Sequence, residues 1–118
     1  MTESILESIK KRLGIMEEYK HFDQDILMDI NTTFVKLNQL GVGPEKGYRI
    51  TGSNEVWSDY LSEDYYSLLE CVKSYMFLEV RMLFDPPVGS VAETYKAEIA
   101  EWQWRITVMM DTINDMEE

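Results

Sequence analysis

Two carboxylates one helical turn apart, Glu98 and Glu101, form the clearest candidate for chemistry in the sequence. Side chains three residues apart share a helix face, so this pair could chelate a divalent metal, as paired carboxylates do in helical pyrophosphohydrolases. Those enzymes need a second acidic motif on a facing helix. Asp111 and Asp115 follow on the same helix and cannot face the first pair. The pattern therefore favours a solvated helix face, and metal-dependent nucleotide hydrolysis remains a third functional alternative.

The single histidine and the single cysteine lack the partners that catalysis requires. His21 has Asp23 nearby in the sequence, but no nucleophile completes a triad. Cys71 lies in the middle of an apolar helical pattern, between Glu70 and Lys73, without a histidine or helix N-terminus to stabilise a thiolate. We expect a partly exposed loop histidine, a structural thiol, no catalytic residue and no cofactor. A lone cysteine also suggests a reducing compartment.

A glycine-rich stretch, Gly41–Pro44, superficially resembles a phosphate-binding loop. It follows the end of a predicted helix, where carbonyl groups and the negative end of the dipole disfavour an anion. Phosphate-binding loops precede a helix N-terminus. The stretch is therefore interpreted as a chain-reversing turn.

The elements that carry these residues are predicted to be helices of one domain. The chain has 118 residues, a typical size for a single domain, and we assign residues 1–118 to it, with a flexible acidic tail from about residue 112. Apolar residues recur at helical spacing in four segments: Thr2–Leu13, Asp23–Leu40, Glu63–Phe84 and Ser90–Ile113.

These four segments predict an all-α fold. Three long helices and a shorter N-terminal helix form a small bundle, and the last two helices are neighbours because the Asp85–Gly89 link is short. A long loop, Gly41–Val56, separates the second and third helices and offers a small β-hairpin around Thr51–Asn54. Trp102 lies on the apolar seam of the last helix, whereas Trp104 falls off it and suits a helix flank or an interface.

The charge balance excludes several classes of partner. The chain has 22 acidic and 11 basic residues and a formal net charge of −11. Nucleic-acid phosphates and anionic membranes attract basic surfaces, so neither is an expected ligand. No apolar run approaches the roughly 20 residues of a membrane helix. The N-terminal segment carries Glu3 and Glu7 among its apolar residues and has no small-residue cleavage site, which argues against a secretory signal.

The order of several motifs resembles the head–tail connector, or adaptor, family of tailed bacteriophages and prophages. The motifs stand in this order: S-I-L-E-S-I-K-K-R-L-G-I, I-N-x-x-F-x-x-L-x-Q-L-G-V-G-P, W-S-D-Y-L, V-K-S-Y-M-F-L-E-V-R-M-L-F-D-P-P and E-W-Q-W-R. The second is the most specific, and together they span residues 4 to about 106. The resemblance implies a structural protein without enzymatic activity.

The resemblance also implies partners and a location. Copies would dock beneath the portal protein as a ring, expected to be dodecameric, extend the DNA channel, and join a stopper or tail-completion protein. The protein would reside at the head–tail junction of the virion, and in the bacterial host cytoplasm during assembly. DNA would pass without specific binding, since an acidic wall repels its phosphates. No membrane is involved.

The same family suggests two contact regions, the loop Gly41–Val56 and the segment Thr112–Glu118. The candidate contact residues are Val42, Pro44, Tyr48, Ile50, Trp104, Asp111, Asp115, Glu117 and Glu118. A second function class stays open, because small acidic helical phage proteins can also mimic DNA and inhibit host nucleic-acid enzymes. Binding to a portal ring, or to a basic host enzyme, would separate the two.

Overall fold

Five α-helices follow one another along the part of the chain that the computed structural model describes, residues 2–117 without the Glu117 side chain. They are α1 (Ile5–Arg12), α2 (Asp23–Gln39), α3 (Trp57–Tyr60), α4 (Tyr66–Phe84) and α5 (Gly89–Glu117). A 3₁₀ turn, Glu63–Tyr65, precedes α4. The predicted all-α fold is confirmed.

The hairpin considered for the long loop does not form. Residues 41–56 contain no strand, and the described chain has one isolated antiparallel bridge, between Ser4 and Val56. That bridge ties the start of α1 to the end of the loop. Ser4 also caps α1, because its Oγ accepts a hydrogen bond from the Glu7 amide at 3.2 Å.

Helices α2 and α4 form the centre of the bundle. Helix α4 packs against α2 on one side and α5 on the other, and α1 packs against α2. The predicted pairing of the last two long helices is therefore present. Apolar side chains of α2 and α4 dominate the buried core: Ile26, Ile30, Phe34, Leu37, Leu69, Val72, Met76 and Val80.

Helix α5 is attached along one face. Among its described side chains only Ile106 is fully buried, while the other seam residues, including Trp102, are half-buried. The opposite face is open, and the Trp104 side chain is 65% exposed. The helix continues through the predicted acidic tail to Glu117. Flexibility of that tail stays a prediction, and Glu118 lies outside the described residues.

A chain of polar side chains crosses the bundle from α2 to α5. Nζ of Lys36 lies 2.6 Å from Oε2 of buried Glu79, and the same oxygen accepts a hydrogen bond from the Tyr75 hydroxyl at 3.2 Å. Nε2 of Gln103 then donates to that hydroxyl at 3.2 Å. Burial raises the pKa of Tyr75 to about 12. The three long helices are thus held in register by directional bonds as well as by apolar packing.

Candidate partner-binding site

Two asparagines of α2 fix the long loop against the bundle. The Asn31 amide accepts a hydrogen bond from the Ile50 amide at 2.8 Å and donates one to the Ile50 carbonyl at 3.0 Å. Two helical turns further along α2, Asn38 donates a hydrogen bond to the Pro44 carbonyl at 3.0 Å. The loop therefore runs alongside α2 with its backbone polar groups partly satisfied by side chains, much as a strand would satisfy them.

An aromatic cluster fills the space between α2 and the loop. The Phe34 ring lies 5.0 Å from the Tyr48 ring and 4.7 Å from the Tyr60 ring, and the two tyrosine rings are 5.1 Å apart. Burial raises the pKa of Tyr60 well above its ordinary value. Both tyrosines therefore stay neutral at physiological pH and act as packing groups.

The start of the loop meets the end of α5 at a pocket of about 400 Å³, here called the loop–helix pocket. Its walls come from the loop, from the segment between α3 and α4, and from α5: Gly41, Gly43, Pro44, Tyr60, Leu61, Ser62, Tyr65, Leu68, Met110, Ile113 and Asn114. Polar and apolar atoms contribute about equally to the lining. The two regions proposed from the sequence as contact elements thus come together at one place.

Four carboxylates, here called the carboxylate rim, stand beside lining residues of this pocket along the chain without lining it themselves. Glu63 and Asp64 follow the lining residue Ser62, and Asp111 and Asp115 flank Asn114 on α5; all four are exposed and form no ion pair within the described chain. The last turn of α5 contains no basic residue. Negative charge near a helix C-terminus is unfavourable, so a cation placed there would be stabilised.

The contact role of the sequence-derived residues stays a prediction, and the structure shows which of their side chains are accessible. Pro44 lines the pocket. Val42 and Ile50 are 2% and 1% exposed and belong to the core, so their side chains do not offer a contact surface. The correction has a physical cause: the loop folds back onto α2 and uses these apolar side chains to close its own interior. Tyr48 is half-buried against Phe34.

The remaining contact candidates lie on α5. Trp104, Asp111 and Asp115 are exposed and occupy its outer face, away from α4. Spacings of seven and four residues place these three side chains close to one line along the helix. Glu117 ends the helix, but its side chain and all of Glu118 lie outside the described residues.

The residues considered for catalysis are not brought together. Glu98 and Glu101 are both exposed on α5, and Glu101 pairs with Arg105 at 2.8 Å. Within residues 2–117 no group of three or more potential metal ligands is assembled. His21 is exposed near the start of α2, and half-buried Cys71 has its pKa raised chiefly by burial. The thiol is therefore protonated at neutral pH.

Sequence reasoning missed a buried lysine. Lys10 is fully buried, its Nζ lies 2.8 Å from Oδ1 of Asp23, and it donates to the carbonyls of Glu17 and Tyr19 at 3.1 and 2.9 Å. The sequence did contain a signal for this burial. A basic residue stands on an otherwise apolar helix face and is followed by a loop without regular structure. The lysine anchors that loop.

Comparison with known protein families gives one match. The model of a family described as phage connector protein matches residues 5–112, nearly the whole chain. No curated protein and no solved structure matches the chain significantly. Among the described helices, none is both long and apolar enough to span a bilayer. The match covers far more than half of the sequence, and the chain therefore belongs to the phage connector protein family.

Proposed function

We propose that this connector docks as a ring beneath the phage portal, extends the DNA channel, and joins a stopper or tail-completion protein. Membership of the connector family supports association with head and tail components in the virion. The finer steps, namely ring formation on the portal and the order of partners, belong to this proposal. The net charge of −11 supports a channel wall to which DNA does not adhere.

The observation that carries the proposal is the loop–helix pocket with its carboxylate rim. The apolar part of the pocket can accept one large apolar side chain, and the nearby carboxylates favour lysine or arginine beside it. The portal would therefore present an apolar anchor with basic neighbours. The outer face of α5, with Trp104, Asp111 and Asp115, continues this surface along the helix.

The test is attachment to purified portal rings, measured by sedimentation with the portal from the same phage. The double variant Asp111→Lys/Asp115→Lys should weaken attachment by at least about tenfold, because it replaces attraction with repulsion at two positions. The matched control, Glu93→Lys/Glu98→Lys, makes the same charge change near the other end of α5. It should attach almost as the wild type does.

Three results would contradict the proposal. Wild-type protein that does not attach to the portal at micromolar concentration would exclude portal docking. Undiminished attachment of the Asp111→Lys/Asp115→Lys variant would exclude the carboxylate rim as the contact. Equal loss in the control variant would show that overall charge, and not this pocket, governs attachment.

A further inference from the structure

We propose that a groove at the opposite end of the bundle from the loop–helix pocket binds a basic protein segment with an apolar anchor, supplied by the connector's second partner. The assignment to a second partner rests on the proposed function. The groove, here called the α2–α4 groove, has a volume of about 650 Å³. Its lining residues are Leu13, Ile15, Phe22, Asp25, Met28, Asp29, Leu83, Phe84 and Asp85.

The floor of the groove is apolar and open to solvent. The rings of Phe22 and Phe84 meet edge to face, with centroids 5.3 Å apart, and join the start of α2 to the end of α4. Met28 and Leu83 are 69% and 47% exposed although both are large apolar side chains. Covering them would remove apolar area from water, which is the main source of affinity at a protein interface.

The wall formed by the α1–α2 linker is preformed. Lys10 holds this linker through hydrogen bonds to the carbonyls of Glu17 and Tyr19 and through the 2.8 Å ion pair with Asp23. The linker has no regular structure, yet two of its backbone groups are tied to one buried cation. A partner therefore meets a shaped groove and does not have to order this segment on binding.

The rim of the groove is negatively charged and only partly compensated. Asp25 and Asp29 lie one turn apart on α2, and neither has a basic side chain within ion-pair distance in the described chain. Burial raises the pKa of Asp29, and the charge of Asp25 raises it further. Asp85, on the opposite rim, is 3.9 Å from Arg81. A partner's lysine or arginine would relieve the repulsion between Asp25 and Asp29, whereas an anionic ligand would increase it.

The two sites lie at opposite ends of the same helices. The groove involves the first turns of α2 and the last turn of α4, and the loop–helix pocket involves the glycines after α2 and Leu68 near the start of α4. With a rise of 1.5 Å per residue, the 17 residues of α2 separate the sites by about 25 Å. One partner at each end fits a protein that must hold two different components at once.

The groove can be tested without knowing the partner. The probe is a synthetic amphipathic peptide of leucine and lysine at helical spacing, and the signals are the ¹³C-labelled methionine methyl groups of the full chain. Met28 reports on the groove and Met110 on the loop–helix pocket. We expect a saturable shift of the Met28 signal, with about tenfold weaker affinity in Asp25→Asn/Asp29→Asn. The control Glu93→Gln/Glu98→Gln removes the same charge elsewhere and should keep the wild-type affinity.

The proposal is overturned if Met28 does not respond, if both double variants weaken binding equally, or if a peptide with glutamate in place of lysine binds as well. Portal attachment of Asp25→Asn/Asp29→Asn gives the second readout. If this variant attaches to the portal as well as the wild type does, the result supports a separate partner for the groove. If the variant no longer attaches, that assignment is refuted. If wild-type protein fails to attach to the portal, the proposed function falls, while the Met28 titration still decides whether the groove takes a basic segment.

Discussion

The ring of Tyr60 covers Gly43 so closely that a Cβ atom at position 43 would lie 2.6 Å from Cε1 of Tyr60. The backbone at Gly43 also has a φ of +86°, which side chains other than hydrogen rarely accept. The glycine that looked like part of a phosphate loop is therefore needed for close contact between the loop and α3. It shapes the loop–helix pocket from the side opposite α5.

Gly43→Ala should destabilise the fold by about 2–4 kcal/mol, since backbone strain and a steric clash add at one position. Gly41→Ala is the matched control: φ is +91°, but no atom lies within 4 Å of the added Cβ, so about 1 kcal/mol is expected from strain alone. Urea denaturation of both variants measures the difference. Equal losses of stability in the two variants would mean that the clash with Tyr60 adds nothing to the destabilisation of Gly43→Ala.

Asn31→Ala should destabilise the protein by about 1–3 kcal/mol, because it leaves two backbone groups of Ile50 without their hydrogen-bond partner. The loop should then exchange its amide hydrogens faster, with the largest change at Ile50. Thr32→Ala, at the exposed neighbouring position, is the control and should change neither quantity measurably. Unchanged protection of Ile50 would contradict the role assigned to Asn31.

Lys36→Met should cost about 1–3 kcal/mol, because the buried Glu79 carboxylate loses its cation and keeps only the Tyr75 hydroxyl. The double variant Lys36→Met/Glu79→Met should recover much of that loss, which chemical denaturation in a double-mutant cycle would reveal. For comparison, removing Arg105 from its exposed pair with Glu101 should cost less than about 0.5 kcal/mol. A loss at Lys36 no larger than at Arg105 would contradict the role of burial.

Asp29→Asn should stabilise the protein by about 0.2–0.5 kcal/mol at neutral pH, because it removes a like-charge pair one turn apart. The pKa of Asp29 is raised in the folded state, so its ionisation opposes folding. The stability that the protonated Asp29 carboxyl contributes is fully present below the pKa of the unfolded state, and it is lost as the pH rises through the pKa of the folded state. The thermal melting curves of the wild type and of Asp29→Asn should therefore coincide near pH 3 and separate toward pH 7. A difference in melting temperature that is the same at every pH would exclude this explanation.

Stability should fall above about pH 10, where tyrosines ionise in the unfolded state. The pKa of Tyr75 is raised to about 12 in the folded protein. The stability that its protonated hydroxyl contributes is therefore present below about pH 10 and is lost as the pH rises through about 12. Tyr75→Phe should be less stable at pH 7, by about 0.5–1.5 kcal/mol for the lost hydrogen bonds, and less sensitive to alkali. An identical alkaline slope in both proteins would refute this assignment.

The helices could be predicted because their apolar residues repeat with a helical period, and α2 and α4 begin or end within a few residues of the predicted positions. The hairpin prediction was wrong because side chains, namely the Asn31 and Asn38 amides, satisfy the loop backbone that a second strand would otherwise pair. Such long-range amide contacts leave no periodic signal in the sequence.

The partner contacts predicted from the sequence stay predictions, and the structure shows where the predicted residues lie. Pro44, Asp111 and Asp115 lie at or beside the loop–helix pocket, whereas Val42 and Ile50 are buried. An apolar loop residue can face a partner or its own core, and the sequence cannot distinguish the two without the path of the backbone. The α2–α4 groove was missed for a similar reason, since its walls come from two stretches distant in sequence, residues 13–29 and 83–85.

Ile106 is the single fully buried residue among the described side chains of α5, and the helix extends from it in two arms that pack less deeply. Gly89 and Glu117 lie 17 and 11 residues from it, so the two arms are about 25 and 16 Å long. A tilt of about 10° would move the two ends by roughly 4 and 3 Å in opposite directions. The loop–helix pocket lies on the shorter arm and Tyr95 and Glu98 on the longer one. A tilt of α5 about Ile106 would therefore move the pocket wall and the segment with Tyr95 and Glu98 together, in opposite directions.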